Sequence, residues 1–502
     1  MTYTTPEQLD NAYTTLHKTF KTGKTKSLAW RKWQLKQVFW MVADNEEAIA
    51  KALNTDLHRH EFEAYYVDIE GVKKDILDTL THVEEWAADD IPDAGFLFGT
   101  LGSARIRKEP LGVALILGTW NFPIIVTLCP LVAAISAGCC AMIKPAETSA
   151  ACQDLMAALI PKYLDQEAIR VVTGGAKEAT MILERRFDHI FYTGSVRVAR
   201  IVAAAAAKHL TPTVLELGGQ APCIVTPSAD IDTAAKRIVF SKYLNNGQIC
   251  LAANHVFVDP SIHDKFVERA IYWLGQYLKD GGAEDAVRII NEQNYDRLVG
   301  LLEKTDGKIV YGGKTDREDK YIQQTLITNV TMQDPLLSSE LFGPLLPIMA
   351  LPYREACTIT QRGDHPLGVY IFSTSQHEIE YIIKNTLSGG VTINDIMLHA
   401  AVPNLPFGGV GNSGMGAYHG KYGFDSFTHL RSIVTIPPYF EYLLSFRYPP
   451  YKSSNISKLR APKPSFKRGE SMSDQKVGKG MVDVLRGWLK WMDWGVKWGT
   501  QP

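Results

Sequence analysis

The chain has 502 residues, of which 46% are hydrophobic and 21% charged, with a formal net charge of −1. That balance excludes a disordered or fibrous chain and gives the body no field to attract nucleic acid, while the length calls for two or three lobes. Seven cysteines (Cys129, Cys139, Cys140, Cys152, Cys223, Cys250 and Cys357), odd in number and without a Cys-x-x-Cys pair, argue against a disulfide framework or a zinc site and for a reducing compartment.

In chain order, the N-terminus lacks the basic start and apolar core of a secretory signal, so secretion is not expected. Residues 6–90 mix polar and apolar positions at helical spacing (Trp30, Trp33, Leu35, Val38, Phe39, Met41, Val42) and predict a helical packing and subunit-contact layer without catalytic residues. After about Arg105, short apolar strands at Val113–Leu117, Ala141–Ile143, Ile169–Val172 and His189–Tyr192 alternate with helical stretches, which predicts a parallel, doubly wound α/β sheet. The run from Gly112 to Ile143 is the most apolar, but Asn121-Phe122-Pro123 and Cys129-Pro130 interrupt it, so it reads as a buried strand plus a core helix.

One βαβ unit stands out. The strand His189–Tyr192 enters Thr193-Gly194-Ser195, then a helix from Val196 to Leu210, then a strand from Thr213 to Leu217. Free backbone N–H groups at such a helix start favour a phosphate, although Gly194 as a turn residue and Ser195 as a helix cap would look the same. A second α/β region spans about Gln220–Asp425, with helices at 231–245 and 261–277 and strands at 368–373 and 390–393. Its Gly-rich end, residues 406–416, predicts a fixed loop presenting the ring of Phe407.

The tail differs in character. Between Lys452 and Trp498 there are eleven Lys or Arg against four Asp or Glu. Residues 452–478 read as a basic linker. From Gly480 to Trp498, helical geometry puts Asp483, Arg486, Lys490, Asp493 and Lys497 on one narrow stripe, and Trp488, Trp491, Trp494 and Trp498 on the flank of a wide apolar arc. Trp and a cationic surplus suit a helix lying in the plane of an anionic membrane surface, and the charges argue against spanning.

Three segments carry chemistry: Gly118-Thr119-Trp120-Asn121-Phe122-Pro123, Leu215-Glu216-Leu217-Gly218-Gly219 and Gly247-Gln248-Ile249-Cys250. An amide donor, a carboxylate and a thiol are what covalent oxidation of an aldehyde requires: an oxyanion donor, a base for water and a nucleophile. Taken alone, each has a structural alternative, since a lone Cys is usually an inert small hydrophobe. Together, and with 34 residues separating Glu216 from Cys250, they resemble the aldehyde dehydrogenase superfamily from about Ser27 to Arg431. Asn394-Asp395 and the Gly411–Lys421 segment look most like the class 3, fatty aldehyde branch, in a fungal-type, membrane-associated form. One departure is local: Ala253-Asn254-His255 stands where relatives often carry Pro-Asp-Tyr, which leaves the shape of that wall open.

The resemblance implies an aldehyde dehydrogenase fold with the following boundaries. Residues 1–215 would form a Rossmann-like NAD-binding domain, including the helical layer and a bridging insertion near 91–106. Residues 216–425 would form the catalytic domain, 426–451 a bridging or oligomerisation segment, 452–478 the linker and 479–499 the surface helix. It implies Cys250 as nucleophile, Glu216 as general base and Asn121 with the Cys250 N–H as oxyanion hole. Lys144 and Glu147 would hold the adenosine ribose, with a carboxylate there favouring NAD while leaving NADP possible. Gly194, Ser195, Val198 and Ala199 would start the dinucleotide-binding helix, Leu217 would join the cofactor contacts, and Glu340 and Phe342 would grip the nicotinamide ribose and ring. Trp120 and Phe407 would line the substrate pocket, and no metal is implied.

The expected activity is NAD-dependent oxidation of long-chain aldehydes by a homodimer on the cytosolic face of an intracellular membrane (endoplasmic reticulum, mitochondrial outer membrane, peroxisome or lipid droplet). Apocarotenoid or aromatic aldehydes are the alternative substrates; a cysteine esterase or thioesterase without redox, and a silent membrane scaffold, are the alternatives of another class.

Overall fold

The computed structural model describes residues 3–95, 98–99, 102–461, 464 and 468–475, so the tail helix expected at 479–499 lies outside the described residues. Two compact units emerge, 1–434 and 435–502. No helix among the described residues is long and apolar enough to cross a membrane.

The first helix, Pro6–Thr22, starts where Thr5 and Gln8 cap each other reciprocally, with Pro6 at a position whose missing N–H would have had no helical partner, and it stops at Gly23 in a left-handed conformation. Further helices at Leu28–Ala43, Glu46–Leu57 and Glu70–Ala87 complete the N-terminal layer. Between the last two, Ala64–Ile69 is wound as a π-helix, a widened turn that often marks a functional site.

The first large sheet has six strands. Thr213–Glu216, His189–Thr193, Val113–Leu117, Cys140–Lys144 and Ile169–Val171 run parallel in that order. All five residues of Val113–Leu117 are buried, because helices cover both faces of a parallel sheet and leave no solvated side for polar alternation. The βαβ unit is in place: Val196–Ala207 is helical and Ile190 pairs in register with Thr213. Helix Ile125–Ala137 follows the first strand and runs on through Pro130, sacrificing one backbone bond instead of ending there.

The second sheet has seven strands in the order Gly390–Ile393, Gly368–Phe372, Pro222–Val225, His255–Val258, Leu345–Ala350, Thr325–Thr328 and Lys308–Tyr311. All its neighbours are parallel except the final pair. The chain passes from one sheet to the other through Leu217–Ala221, directly after Glu216, which puts the Leu-Gly-Gly segment at the junction. The Gly-rich loop at 406–416 crosses the other way: Gly414–Met415 adds an antiparallel strand beside Thr213–Glu216. Ser103–Pro110 and Thr428–Thr435 form a separate two-stranded sheet.

In the 435–502 unit, the described residues form short helical turns at Pro438–Phe440, Glu441–Leu444 and Ser445–Arg447. Two more, Ser453–Asn455 and Ile456–Leu459, fall inside the stretch read as a linker.

Candidate active site

Cys250 lies just after a backbone arch. Asn245, Asn246 and Gly247 all have positive φ (48°, 49° and 69°), a path costly for the two asparagines and forced at Gly247, where a Cβ would meet the Gly343 carbonyl oxygen at 2.3 Å. The arch ends helix Ile231–Tyr243 two residues before the sequence pattern predicts and turns the chain into Gln248-Ile249-Cys250. Gln248 is fully buried and pins this segment through three bonds: Nε2 donates to the Asn245 and Arg288 carbonyls (3.2 and 3.0 Å) and Oε1 accepts from Ile290 N–H (3.1 Å).

Cys250 is half-buried, whereas the other six cysteines are buried, and all seven are free thiols. Burial pushes its thiol up to about 12, and the negative charges of Glu340 and Glu216 push the same way. Those two carboxylates are thus the charges the sulfur senses. Glu216 ends its strand 3% exposed, and burial alone holds its carboxyl well above the usual range. Neither of its oxygens has a hydrogen-bond partner among the described residues. A buried carboxyl left unpartnered at a strand end is unfavourable for folding, which makes it a candidate for a functional group.

Asn121 is 4% exposed, and its Nδ2 donates to the Gln248 carbonyl at 3.1 Å. An amide group has two N–H donors and could flip to present its oxygen instead. The Gln248 carbonyl can only accept, so this bond selects the orientation that keeps nitrogen toward the thiol segment and leaves a second N–H for an oxyanion. Asn121→Ala is expected to lower kcat about 10²–10³-fold with little change in Tm, measured by steady-state NADH formation and thermal unfolding.

The cofactor candidates fall into two groups. Lys144, at the end of its strand, and Glu147 form an ion pair at 2.7 Å. Gly194-Ser195 open helix Val196–Ala207, with the Ser195 side chain as N-cap accepting from Val198 N–H, and Ala199 is buried at the helix–strand contact. Leu217 is buried, its N–H bonded to the Ser413 carbonyl (3.2 Å). On the opposite side, Glu340 faces Gly218 so closely that a Cβ there would sit 2.2 Å from Oε1. Burial raises the Glu340 carboxyl to about 7 against the lowering effects of the Gly219 N–H, Arg297 and Lys242. Phe342 holds a left-handed φ of 48° and meets Trp120 edge-on with ring centroids 5.4 Å apart. Trp120 also packs against Leu57, Val287 and Ile290. Glu340 Oε1 is buried without a partner among the described residues, an open acceptor that fits a ribose hydroxyl. The residues present therefore fit a dinucleotide.

Phe407 is buried, its ring stacked on His419 (5.0 Å) and edge-on to Tyr418 (5.6 Å), so the loop presents this ring to neighbouring aromatic groups. The Asn254 departure has a structural account: its Oδ1 accepts from Leu341 N–H at 2.8 Å and so ties the segment after Cys250 to the Glu340–Phe342 loop.

Three buried residues that the sequence pattern does not single out come from the N-terminal packing layer. Arg59, Asp68 and Glu63 are buried, and Arg59 touches Asn121 and Asn245 directly. His58-Arg59-His60 looks like a solvated polar turn in sequence, and only long-range packing reveals three buried charges. Lys242 is also buried, its Nζ donating to the Gly343 carbonyl (3.2 Å), and burial lowers it to about 7. A lone Lys in an amphipathic helix carries no such signal.

The model of the aldehyde dehydrogenase family matches residues 1–433. Among similar relatives, the rat (Rattus norvegicus) aldehyde dehydrogenase, dimeric NADP-preferring, is 42% identical over 438 residues, covering 86% of this chain and 95% of that protein. The rat aldehyde dehydrogenase family 3 member A2 is 40% identical over 445 residues, covering 88% and 91%. Among solved structures, the substrate-bound state of Staphylococcus aureus AldH superposes with a TM-score of 0.83 at 35% identity, covering 87% of this chain and 99% of that one. The chain belongs to the aldehyde dehydrogenase family, in its class 3 branch, and is an NAD(P)-dependent oxidoreductase of aldehydes.

Proposed function

We propose that this enzyme oxidises long-chain, apolar aldehydes to carboxylic acids through a covalent bond to Cys250, as a homodimer working at a membrane surface. The observation that carries the covalent route is the convergence of three separate segments. Cys250 senses the charge of Glu216, and the Asn121 amide is bonded to the carbonyl two residues before the thiol.

The Cys250 thiol gives its proton to water, the thiolate adds to the aldehyde carbon, and the carbonyl electron pair moves onto oxygen. The free N–H of Asn121 and the Cys250 backbone N–H hold that oxyanion. NAD(P), when bound, supplies the hydride acceptor, held by Lys144 and Glu147 at one end and by Glu340 and Phe342 at the other. As hydride leaves carbon, the carbonyl re-forms as a thioester on Cys250. Glu216 then takes a proton from water, the hydroxide adds to the thioester, and the Cys250 thiolate departs as the acid is released. Burial suits Glu216 to this role, because a raised pKa makes its carboxylate a stronger base than an exposed one. Its two oxygens, without a partner among the described residues, can accept hydrogen bonds from that water.

Support for an apolar substrate comes from the Trp120, Leu57, Val287 and Ile290 cluster beside Phe342 and from the Trp-rich, basic tail. A long aldehyde partitions into lipid, so holding the enzyme at that surface raises its local concentration. The cytosolic face of an intracellular membrane is the site consistent with free thiols and a cationic tail. A dimer is proposed because the rat relative is named dimeric. Removal of residues 479–502 is expected to leave kcat/KM on short soluble aldehydes within about twofold, while abolishing sedimentation with anionic liposomes. Continued sedimentation of the truncated enzyme would defeat the anchor, and a preference for aromatic over long-chain aldehydes would defeat the substrate assignment.

A further inference from the structure

We propose that Arg59 is a positioning residue for the oxyanion step, acting through Asn245 to hold Asn121 against the thiol segment; this rests on the reading of Asn121 and Cys250 given above. Arg59 is fully buried. One guanidinium nitrogen donates to Asp68 Oδ2 at 2.5 Å. The other donates to two acceptors, the Asn121 backbone carbonyl at 2.5 Å and Asn245 Oδ1 at 2.6 Å. The guanidinium also sits 4.7 Å from the centroid of the Phe122 ring, so it grips the Asn121-Phe122 step from two directions.

Asn245 completes the frame. With its oxygen held by Arg59, its Nδ2 is directed to two carbonyls, that of Asn121 at 3.1 Å and that of Gln248 at 2.9 Å. The Gln248 carbonyl therefore receives two amides, one from Asn245 and one from Asn121. The Asn245 backbone N–H in turn donates to Glu63 Oε2 at 3.1 Å, and Asp68 Oδ1 accepts from Ile125 N–H at 2.9 Å. Arg59 is thus the point where the Asn121 loop, the left-handed arch and the start of the following core helix are fastened together.

A buried guanidinium needs hydrogen bonds for the N–H groups its ion pair leaves over. Here the second nitrogen is committed to the two segments that must stay in register for an oxyanion to meet both the Asn121 amide and the Cys250 N–H. Guanidinium suits this task because its planar fork fixes three acceptors at set angles, which an ammonium cannot do.

The test compares full-length wild type, Asn245→Gly, Arg59→Met and Arg59→Lys in stopped-flow NADH bursts with a short aldehyde. A second readout is the pH profile of Cys250 alkylation by iodoacetamide, a reaction that forms no carbonyl oxyanion. Asn245→Gly keeps the left-handed φ, leaves Arg59 paired with Asp68, and is expected to slow the burst 10–100-fold with the alkylation profile and KM for NAD unchanged. Arg59→Met is expected to slow it at least as much, and Arg59→Lys to recover part of the loss. Should Arg59→Met fail to fold, Asn245→Gly and Arg59→Lys decide the matter. An undiminished burst in Asn245→Gly, or alkylation falling in parallel with the burst, overturns the proposal. Absence of a burst in wild type would instead overturn the covalent reading beneath it.

Discussion

Cys250→Ala is expected to abolish NADH formation from any aldehyde, a loss of about 10⁴-fold or more in kcat. The reason lies in access more than in acidity. Burial raises the thiols of Cys139 and Cys357 to about 11 and that of Cys140 to about 12, and Cys129, Cys152 and Cys223 are driven up as well. Cys250, at about 12, is no more acidic than Cys139, Cys140 or Cys357. It differs in being the half-buried one, on the segment that Asn121 and Gln248 hold in place. No other thiol can take its role, so the variant should still fold and still bind NAD, as followed by quenching of intrinsic fluorescence. Residual NADH formation above a few per cent in Cys250→Ala would remove the covalent step from the mechanism.

Glu216→Gln is expected to separate the two halves of the reaction. The NADH burst in the first turnover should persist, because hydride departure needs the thiol and the oxyanion donors, while steady turnover falls about 10²–10⁴-fold for want of a base. The sign of the pH dependence follows from burial. A carboxyl whose pKa is raised by burial keeps its proton to a higher pH than an exposed one, and its basic form grows as pH rises through that pKa. Wild-type deacylation should therefore accelerate as pH rises through that raised pKa, and Glu216→Gln should lose that rise. Stopped-flow amplitude and steady-state rate, followed across pH in both proteins, provide the measurement. Loss of the burst itself would place Glu216 before hydride transfer and count against its assignment as the base for water.

Much of the architecture was legible because it rests on local periodicity. Val113–Leu117 is an uninterrupted apolar run, and such a run bounded by turns belongs in a parallel sheet covered on both faces. The His189–Thr193, Val196–Ala207 and Thr213–Glu216 unit was equally plain, since a strand, a Gly-Ser helix start and an Ala-rich helix follow one another within 28 residues. The Gly414–Met415 strand was not legible. Two residues carry no period, and their pairing with Leu215 and Glu216 spans about two hundred positions of chain.

The same division runs through the site. Which residues could do the chemistry was determined by the sequence itself: a thiol, a carboxylate and an amide, each beside glycine or proline at a telling spacing. How they are held was decided only by the tertiary structure. The buried fork of Arg59, the left-handed Asn245-Asn246-Gly247 arch and the Asn254 tie to Leu341 all join segments distant in sequence. A side chain's chemistry belongs to one position, whereas burial, orientation and charge coupling arise only when distant positions are brought within a few ångströms.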